Sequence, residues 1–211
     1  MTPLTLPSLQ LRSDWTSQAD SPGPHGPCLI TPGTPTSPMK VAFSPTQRPQ
    51  GDDWDNAYIL HRNAYEASTQ FTYFTNITFP TAQDIANCNA YEQDFQINDG
   101  GHIFNWGWQF LFGTGLRIWN RGGVEKWNNV RVPFTFTPEV PVPLVMTFAI
   151  SGTSVVYLSA AINGISTPLN IAYPAVAEKE SPYLNNAVQL DSKGHGASIL
   201  LWVNECTVVG F

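Results

Sequence analysis

The stretch YEQDFQIND, positions 91 to 99, places two carboxylates and an amide at alternate positions: Glu92, Asp94 and Gln96. In an extended strand, alternate side chains point to the same face of the sheet, so these three groups would share one surface. Carboxyl groups paired in this way can form the acid and base of a glycosidase, line a binding site, or simply face water. The polar residues that other strands place on the same face are needed to choose between these interpretations.

Two further runs place polar groups on the same kind of face. In HIFNWGWQFLF, four aromatic residues alternate with Asn105, Gly107 and Gln109. The aromatic face suits the core, and Gly107 leaves space in the strand where a ligand can approach. In LRIWNR, Arg117 and Trp119 share a face opposite two aliphatic residues, which predicts an exposed aromatic plate beside a guanidinium.

A late segment completes the candidate site. VQLDSKG puts Gln189 and Asp191 on the polar face of its strand. The predicted site therefore comprises Glu92, Asp94, Gln96, Gln109, Arg117, Trp119, Gln189 and Asp191. Carboxylates and amides beside an indole suit a hydroxylated or ring-bearing ligand. The alternative is an outer sheet face whose polar groups only contact water. The other tryptophans are expected to pack in the core or at a sheet edge, namely Trp54, Trp127 and Trp202.

These residues require a sheet to position them. From residue 54 on, about eleven short runs rich in aromatic and β-branched residues alternate with turn signals such as NDGG, RGG and SGTS. AINGIS has the residues of a tight hairpin turn at Asn163-Gly164, and one helical turn is expected at TAQDIANC. The pattern predicts an antiparallel all-β sandwich or jelly roll, formed by residues 51–211 as a single domain.

The first 50 residues differ in composition from the rest. They hold ten of the eighteen prolines. Because proline removes a backbone donor and fixes φ, we expect an extended or poorly ordered leader over residues 1–50. The amino terminus lacks the charge and the uninterrupted apolar run of a secretory signal, which favours a cytoplasmic protein, while one sequon at Asn76 keeps secretion possible.

Composition excludes several classes of partner. A net charge of −6 offers no basic stripe for nucleic acid, and no polybasic cluster or long apolar run suggests a membrane.

His61, His102 and His195 lie far apart without carboxylates or thiols at ligand spacing, so we expect neither a metal nor another cofactor. Cys28, Cys88 and Cys206 allow at most one internal disulfide.

The motifs resemble those of a concanavalin A-like β-sandwich family of bacteria and fungi. The likeness rests on YEQDFQIND, FNWGWQ, LRIWN and KWNNV, followed by INGISTPLNIAY and NAVQLDSKGHGASILLWVNECTV. It spans about residues 54 to 211 and implies a lectin- or glucanase-like sandwich of the jelly-roll type. Laminarinase-like glycosidases on this fold carry Glu-x-Asp-x-Glu, whose last residue is the acid/base. Here that residue is Gln96, whose amide cannot protonate a leaving sugar oxygen, which argues against retaining hydrolysis.

A second likeness is to the small fungal hetero-Diels–Alderases of tropolonic sesquiterpene pathways. It implies an enzyme that joins a tropolone-type quinone methide to an apolar terpene without a cofactor. Such a reaction needs an orienting pocket and hydrogen-bond donors for the heterodiene oxygen, and Arg117 and Gln109 are the candidate catalytic donors. The alternatives are a lectin-like protein that binds a glycan without catalysis, and a structural protein without a ligand.

Overall fold

The computed structural model describes residues 4–19, 28–43, 53–62, 68–122, 126–193 and 198–211. These residues form sixteen strands, one short α-helix, α1 (Ala82–Asn87), and a 3-10 turn at Leu9–Leu11. The strands are β1 (Thr5–Leu6), β2 (Thr16–Ala19), β3 (Leu29–Thr31), β4 (Met39–Phe43), β5 (Asp53–Arg62), β6 (Gln70–Thr78), β7 (Cys88–Asn98), β8 (His102–Leu111), β9 (Gly115–Asn120), β10 (Lys126–Asn129), β11 (Val142–Ser151), β12 (Ser154–Ile162), β13 (Ile165–Pro174), β14 (Val176–Ala177), β15 (Tyr183–Ser192) and β16 (Ile199–Gly210). Within the described ranges, no helix has the length and apolar character needed to cross a bilayer.

Two antiparallel sheets of eight strands make up the molecule. The front sheet has the order β10-β9-β8-β7-β15-β5-β2, with β14 added to β8. The back sheet has the order β13-β12-β11-β6-β16-β4-β3, with β1 added to β16. The predicted all-β antiparallel sandwich is therefore confirmed.

Aromatic side chains fill the space between the sheets. On β8, Trp106 and Trp108 are fully buried, as the alternation of that strand predicts. Their rings lie 4.7 Å and 5.0 Å from the ring of Phe148, which β11 contributes from the back sheet. The three cysteines, all within the described residues, are also buried, and no disulfide joins them.

The described parts of the proline-rich leader form four short strands and a 3-10 turn, and the strands pair with both sheets. β2 pairs with β5 in the front sheet, and β4 pairs with β16 in the back sheet. Met39, Val41 and Phe43 on β4 are at most 1% exposed, so this strand supplies core side chains. We propose that the sandwich domain includes these leader strands in addition to residues 51–211.

Local sequence signals account for two connections. The hairpin between β12 and β13 turns at Asn163 and Gly164, whose positive φ angles of 51° and 79° fit the predicted tight turn. At α1, the Thr81 hydroxyl accepts a hydrogen bond from the Asp84 amide, and the Asp84 carboxylate accepts one from the Thr81 amide. This capping box explains why a helix of only six residues forms where the sequence predicted one turn.

One predicted strand is absent from the described structure. VRVPFTF, residues 130–136, is irregular, although its Val130 amide donates to the Leu116 carbonyl and its Val132 carbonyl accepts from the Leu116 amide. Pro133 follows directly and has no N–H to continue the ladder. The neighbouring segment Lys126–Asn129 pairs with β9 instead, which places Trp127 opposite Trp119.

Candidate ligand-binding site

The outer face of the front sheet carries a cleft of about 620 Å³. Four residues on adjacent strands stand directly opposite one another across its floor: Gln189 pairs with Glu92, Glu92 with Gln109, and Gln109 with Arg117. Because directly opposite residues point to the same face, strand register alone brings these four side chains into one row.

Hydrogen bonds join this row into a network. The Gln109 amide nitrogen donates to Asp191 at 2.7 Å and to Glu92 at 3.1 Å, while its oxygen accepts from Arg117. The Gln189 amide nitrogen donates to Glu92 and to Asp191, both at 3.0 Å. Glu92, Gln109 and Asp191 are at most 5% exposed, so the network is almost dry. Buried polar groups that are paired in this way hold one another in a fixed arrangement.

The carboxyl groups of Glu92 and Asp94 are a coupled pair. Burial raises the pKa of Asp94 to about 7, while its hydrogen bond with Glu92 and the charge of Arg121 act in the opposite direction. Burial also raises the pKa of Glu92 well above its usual range, and the charges of Asp94 and Asp191 add to this shift. Burial therefore disfavours the charged form of both carboxyl groups on the floor of the cleft.

The raised pKa of Asp94 makes the stability of the fold depend on pH. An unfolded chain has an aspartate pKa of about 3.9, so between pH about 4 and about 7 the folded state binds the extra proton. The free energy of unfolding should therefore fall as pH rises through this window, by about 1.4 kcal/mol per unit for one proton. Urea unfolding at pH 4.5 to 7.5 measures this slope, which Asp94→Asn should reduce. Equal slopes for the two proteins would contradict the assignment.

Tryptophans close one end of the cleft. The ring centroids of Trp119 and Trp127 are 5.0 Å apart, and the Arg117 guanidinium lies 5.5 Å from the centroid of Trp127. A Cβ atom at Gly107 would lie 2.9 Å from an Asp94 oxygen and 3.0 Å from the Cβ of Trp119. The space above Gly107 therefore holds Trp119, Trp127 and Asp94, where the sequence suggested room for a ligand.

Tyr157 fixes the position of this aromatic end from the opposite sheet. Its side chain crosses the core from β12, and its hydroxyl accepts a hydrogen bond from the Gly107 amide at 3.0 Å. The same hydroxyl donates to the Trp119 carbonyl at 2.8 Å. Residue pairing between β8 and β9 ends at Trp108 and Ile118, just before this point. Tyr157 thus bridges the two strands where their ladder opens.

The structure places all eight predicted site residues along this cleft. It also adds residues that sequence reasoning missed, namely Gln18, Trp54, Asn105, Arg121, Trp127, Asn185 and Ala187. Trp54 and Trp127, which were expected to pack in the core or at an edge, also line the cleft, and Trp127 does so from the edge strand β10. The polar residues could have been found by extending the face of β8 to Asn105 and of β15 to Asn185. Among the described residues, no cluster of His, Cys, Asp and Glu could hold a metal ion.

Comparison with solved structures identifies the type of sandwich. Peanut lectin in complex with a nine-residue peptide aligns over 100% of this chain and 98% of its own, with a TM-score of 0.57 and 13% identity. The endo-β-1,4-glucuronan lyase of the fungus Trichoderma reesei aligns over 95% and 96%, with a TM-score of 0.57 and 12% identity. Lectin UEA-II complexed with galactose aligns over 98% of both chains, with a TM-score of 0.54 and 9% identity.

These likenesses establish the fold as a concanavalin A-like β-sandwich, as the motifs predicted. No family model matches the sequence, and neither does the sequence of any curated protein. Identities of 9% to 13% carry the fold alone. The function has to be argued from the cleft itself.

Proposed function

We propose that the cleft binds a carbohydrate without cleaving it. The observation that carries the proposal is the row Gln189, Glu92, Gln109 and Arg117 beside the indoles of Trp119 and Trp127. A sugar ring presents hydroxyl groups at its rim and C–H groups on its faces, so it needs both kinds of partner. The open, mainly polar cleft supplies both. An apolar terpene would displace water from these polar groups without offering them hydrogen bonds.

Two features argue against hydrolysis. Gln96 occupies the strand position at which a laminarinase-like enzyme has its acid/base, and an amide cannot supply the proton. The carboxyl group in the nucleophile position is Glu92, and burial raises its pKa well above the usual range, which disfavours the carboxylate that a nucleophile requires. A protonated acid is a poor nucleophile but a good hydrogen-bond donor to a sugar hydroxyl. Lectin UEA-II, a structure of the same fold, is complexed with galactose.

Truncation of Trp119 tests this proposal. An indole that covers about 60 Å² of a sugar face contributes about 1.5 kcal/mol, so Trp119→Ala should weaken binding about tenfold. We would screen the protein on a glycan array and then titrate the best ligand into both proteins. Trp202→Ala is the matched control, because Trp202 is half-buried on the back sheet. Equal losses in the two variants, or no glycan bound at all, would overturn the proposal.

A second function, the hetero-Diels–Alderase, is favoured by one observation. Arg117 and Arg121 are donors that line the same cleft as the indoles, and a heterodiene oxygen could accept from them. Gln109 is less suited to this role, because its amide nitrogen already donates to two carboxyl groups. The test is incubation with a tropolone quinone-methide precursor and humulene. A product ratio equal to the protein-free control would exclude this function.

A further inference from the structure

A second cavity of about 470 Å³ adjoins the cleft on the front sheet. Its own walls include Tyr58, Leu60, Ser181 and Tyr183. Both cavities are also lined by Gln18, Gln96 and Asn185, so the two spaces meet along a shared wall. The front sheet therefore carries one continuous groove, with the indoles of Trp119 and Trp127 at one end and Tyr58 and Tyr183 lining the other.

The groove runs across the strands. Trp119 lies on β9, and Tyr58 lies on β5, four strands away in the sheet order. At about 4.8 Å per strand spacing, the distance between the two ends is about 19 Å. Between them, Ala187 on β15 stands directly opposite both Tyr58 and Asp94, so a small side chain keeps the floor low at this point. A single sugar ring would occupy only a fraction of this length.

The charge of the walls restricts the ligand further. Four carboxyl groups line the groove, those of Glu92, Asp94, Asp191 and Glu180. The guanidinium groups are those of Arg117 and Arg121, and Arg117 is already hydrogen-bonded to Gln109. Because the raised pKa values of Glu92 and Asp94 reduce their negative charge near neutral pH, the two remaining carboxylates and the two guanidinium groups nearly balance, so the walls offer no net positive charge to attract a polyanionic chain.

We propose that the groove binds a neutral linear glycan of about four units, one end on Trp119 and Trp127 and the other on Tyr58 and Tyr183. The proposal rests on the carbohydrate function proposed above and extends it to the second cavity. The amides of Gln96 and Asn185 lie between the two aromatic ends and are placed to contact the hydroxyl groups of the middle units.

Calorimetric titration with oligosaccharides of two to six units tests the proposal. The probes are gluco-oligosaccharides with β-1,3, β-1,4 or α-1,4 links, manno-oligosaccharides, and oligoglucuronates as the anionic counterpart. We expect the affinity for one neutral series to rise at least tenfold from two to four units and then to level off. Tyr183→Ala should lower the affinity for the four-unit chain about tenfold and that for the two-unit chain less than twofold.

The controls separate this proposal from the proposed function. Ile165→Ala changes a residue that is 74% exposed on the back sheet and should alter no affinity. Tyr58→Ala repeats the test if Tyr183→Ala fails to fold, and the chain-length series on the unaltered protein needs no variant. Equal affinity from two to six units, or preference for oligoglucuronate, would overturn the linear neutral chain while leaving carbohydrate binding in place. Absence of binding in every series would overturn both.

Discussion

Removal of residues 1–45 is expected to abolish cooperative folding of the remaining chain. The leader contributes Leu9, Trp15, Met39, Val41 and Phe43 to the core, each at most 7% exposed. Burial of one such side chain contributes about 1.5 to 3 kcal/mol, so the five together contribute about 10 kcal/mol. That is comparable to the whole net stability of a typical domain, about 5 to 15 kcal/mol.

Polar contacts reinforce this expectation. The Trp15 indole donates to the Leu9 carbonyl at 2.8 Å, and the Gln10 side chain accepts from the Cys206 amide at 2.9 Å. Without the leader, the Cys206 amide would lose its partner and the β16 edge would lose β4. Urea unfolding followed by tryptophan fluorescence measures the effect, with Met39→Ala as a graded comparison that should lose about 2 to 5 kcal/mol. An unchanged unfolding midpoint for residues 46–211 would show that the leader is dispensable.

Gln109→Leu is expected to lower the free energy of unfolding by about 3 to 5 kcal/mol, although the two side chains have similar volumes. Gln109 connects Glu92, Asp191 and Arg117, and it is only 3% exposed. Leucine would fill the space but would leave the buried carboxyl groups and the half-buried Arg117 guanidinium without these hydrogen bonds. The loss follows from the hydrogen bonds that these polar groups lose, since no cavity is created.

Asn105→Leu provides the matched control for Gln109→Leu. Asn105 lies on the same face of β8 but is only half-buried. Its replacement should change the free energy of unfolding by about 0.5 kcal/mol or less. Similar losses in the two variants would mean that the network around Gln109 contributes no more than an ordinary surface position of that strand.

The alternation of residues made much of the fold and site predictable. In β7, β8, β9 and β15 the side chains follow a strict period of two, so the core aromatics and all eight site residues could be assigned to opposite faces from sequence. The hairpin turn was equally predictable, because it depends on the adjacent residues Asn163 and Gly164. Each of these signals depends only on residues adjacent in the chain.

Other features depend on tertiary contacts that sequence spacing does not encode. The leader strands are short and lie between proline-rich segments, and they form because β5 and β16 offer edges with which they can pair. Trp127 enters the cleft because β10 pairs with β9 in a register that sets it opposite Trp119. The hydrogen bonds of Tyr157 connect the back sheet to Gly107 and Trp119 in the front sheet, about 40 to 50 positions away in the chain.

Carbohydrate binding by the cleft of the front sheet is the proposed function. Its most direct test is the NMR signal of each indole N–H during titration with the best glycan from the array. The protein has seven tryptophans, of which Trp54, Trp119 and Trp127 line the cleft. We predict that these three signals shift on titration and that those of the buried Trp106 and Trp108 do not. Shifts caused by humulene but by no glycan, or glycan-induced changes confined to Trp202 on the back sheet, would contradict the account.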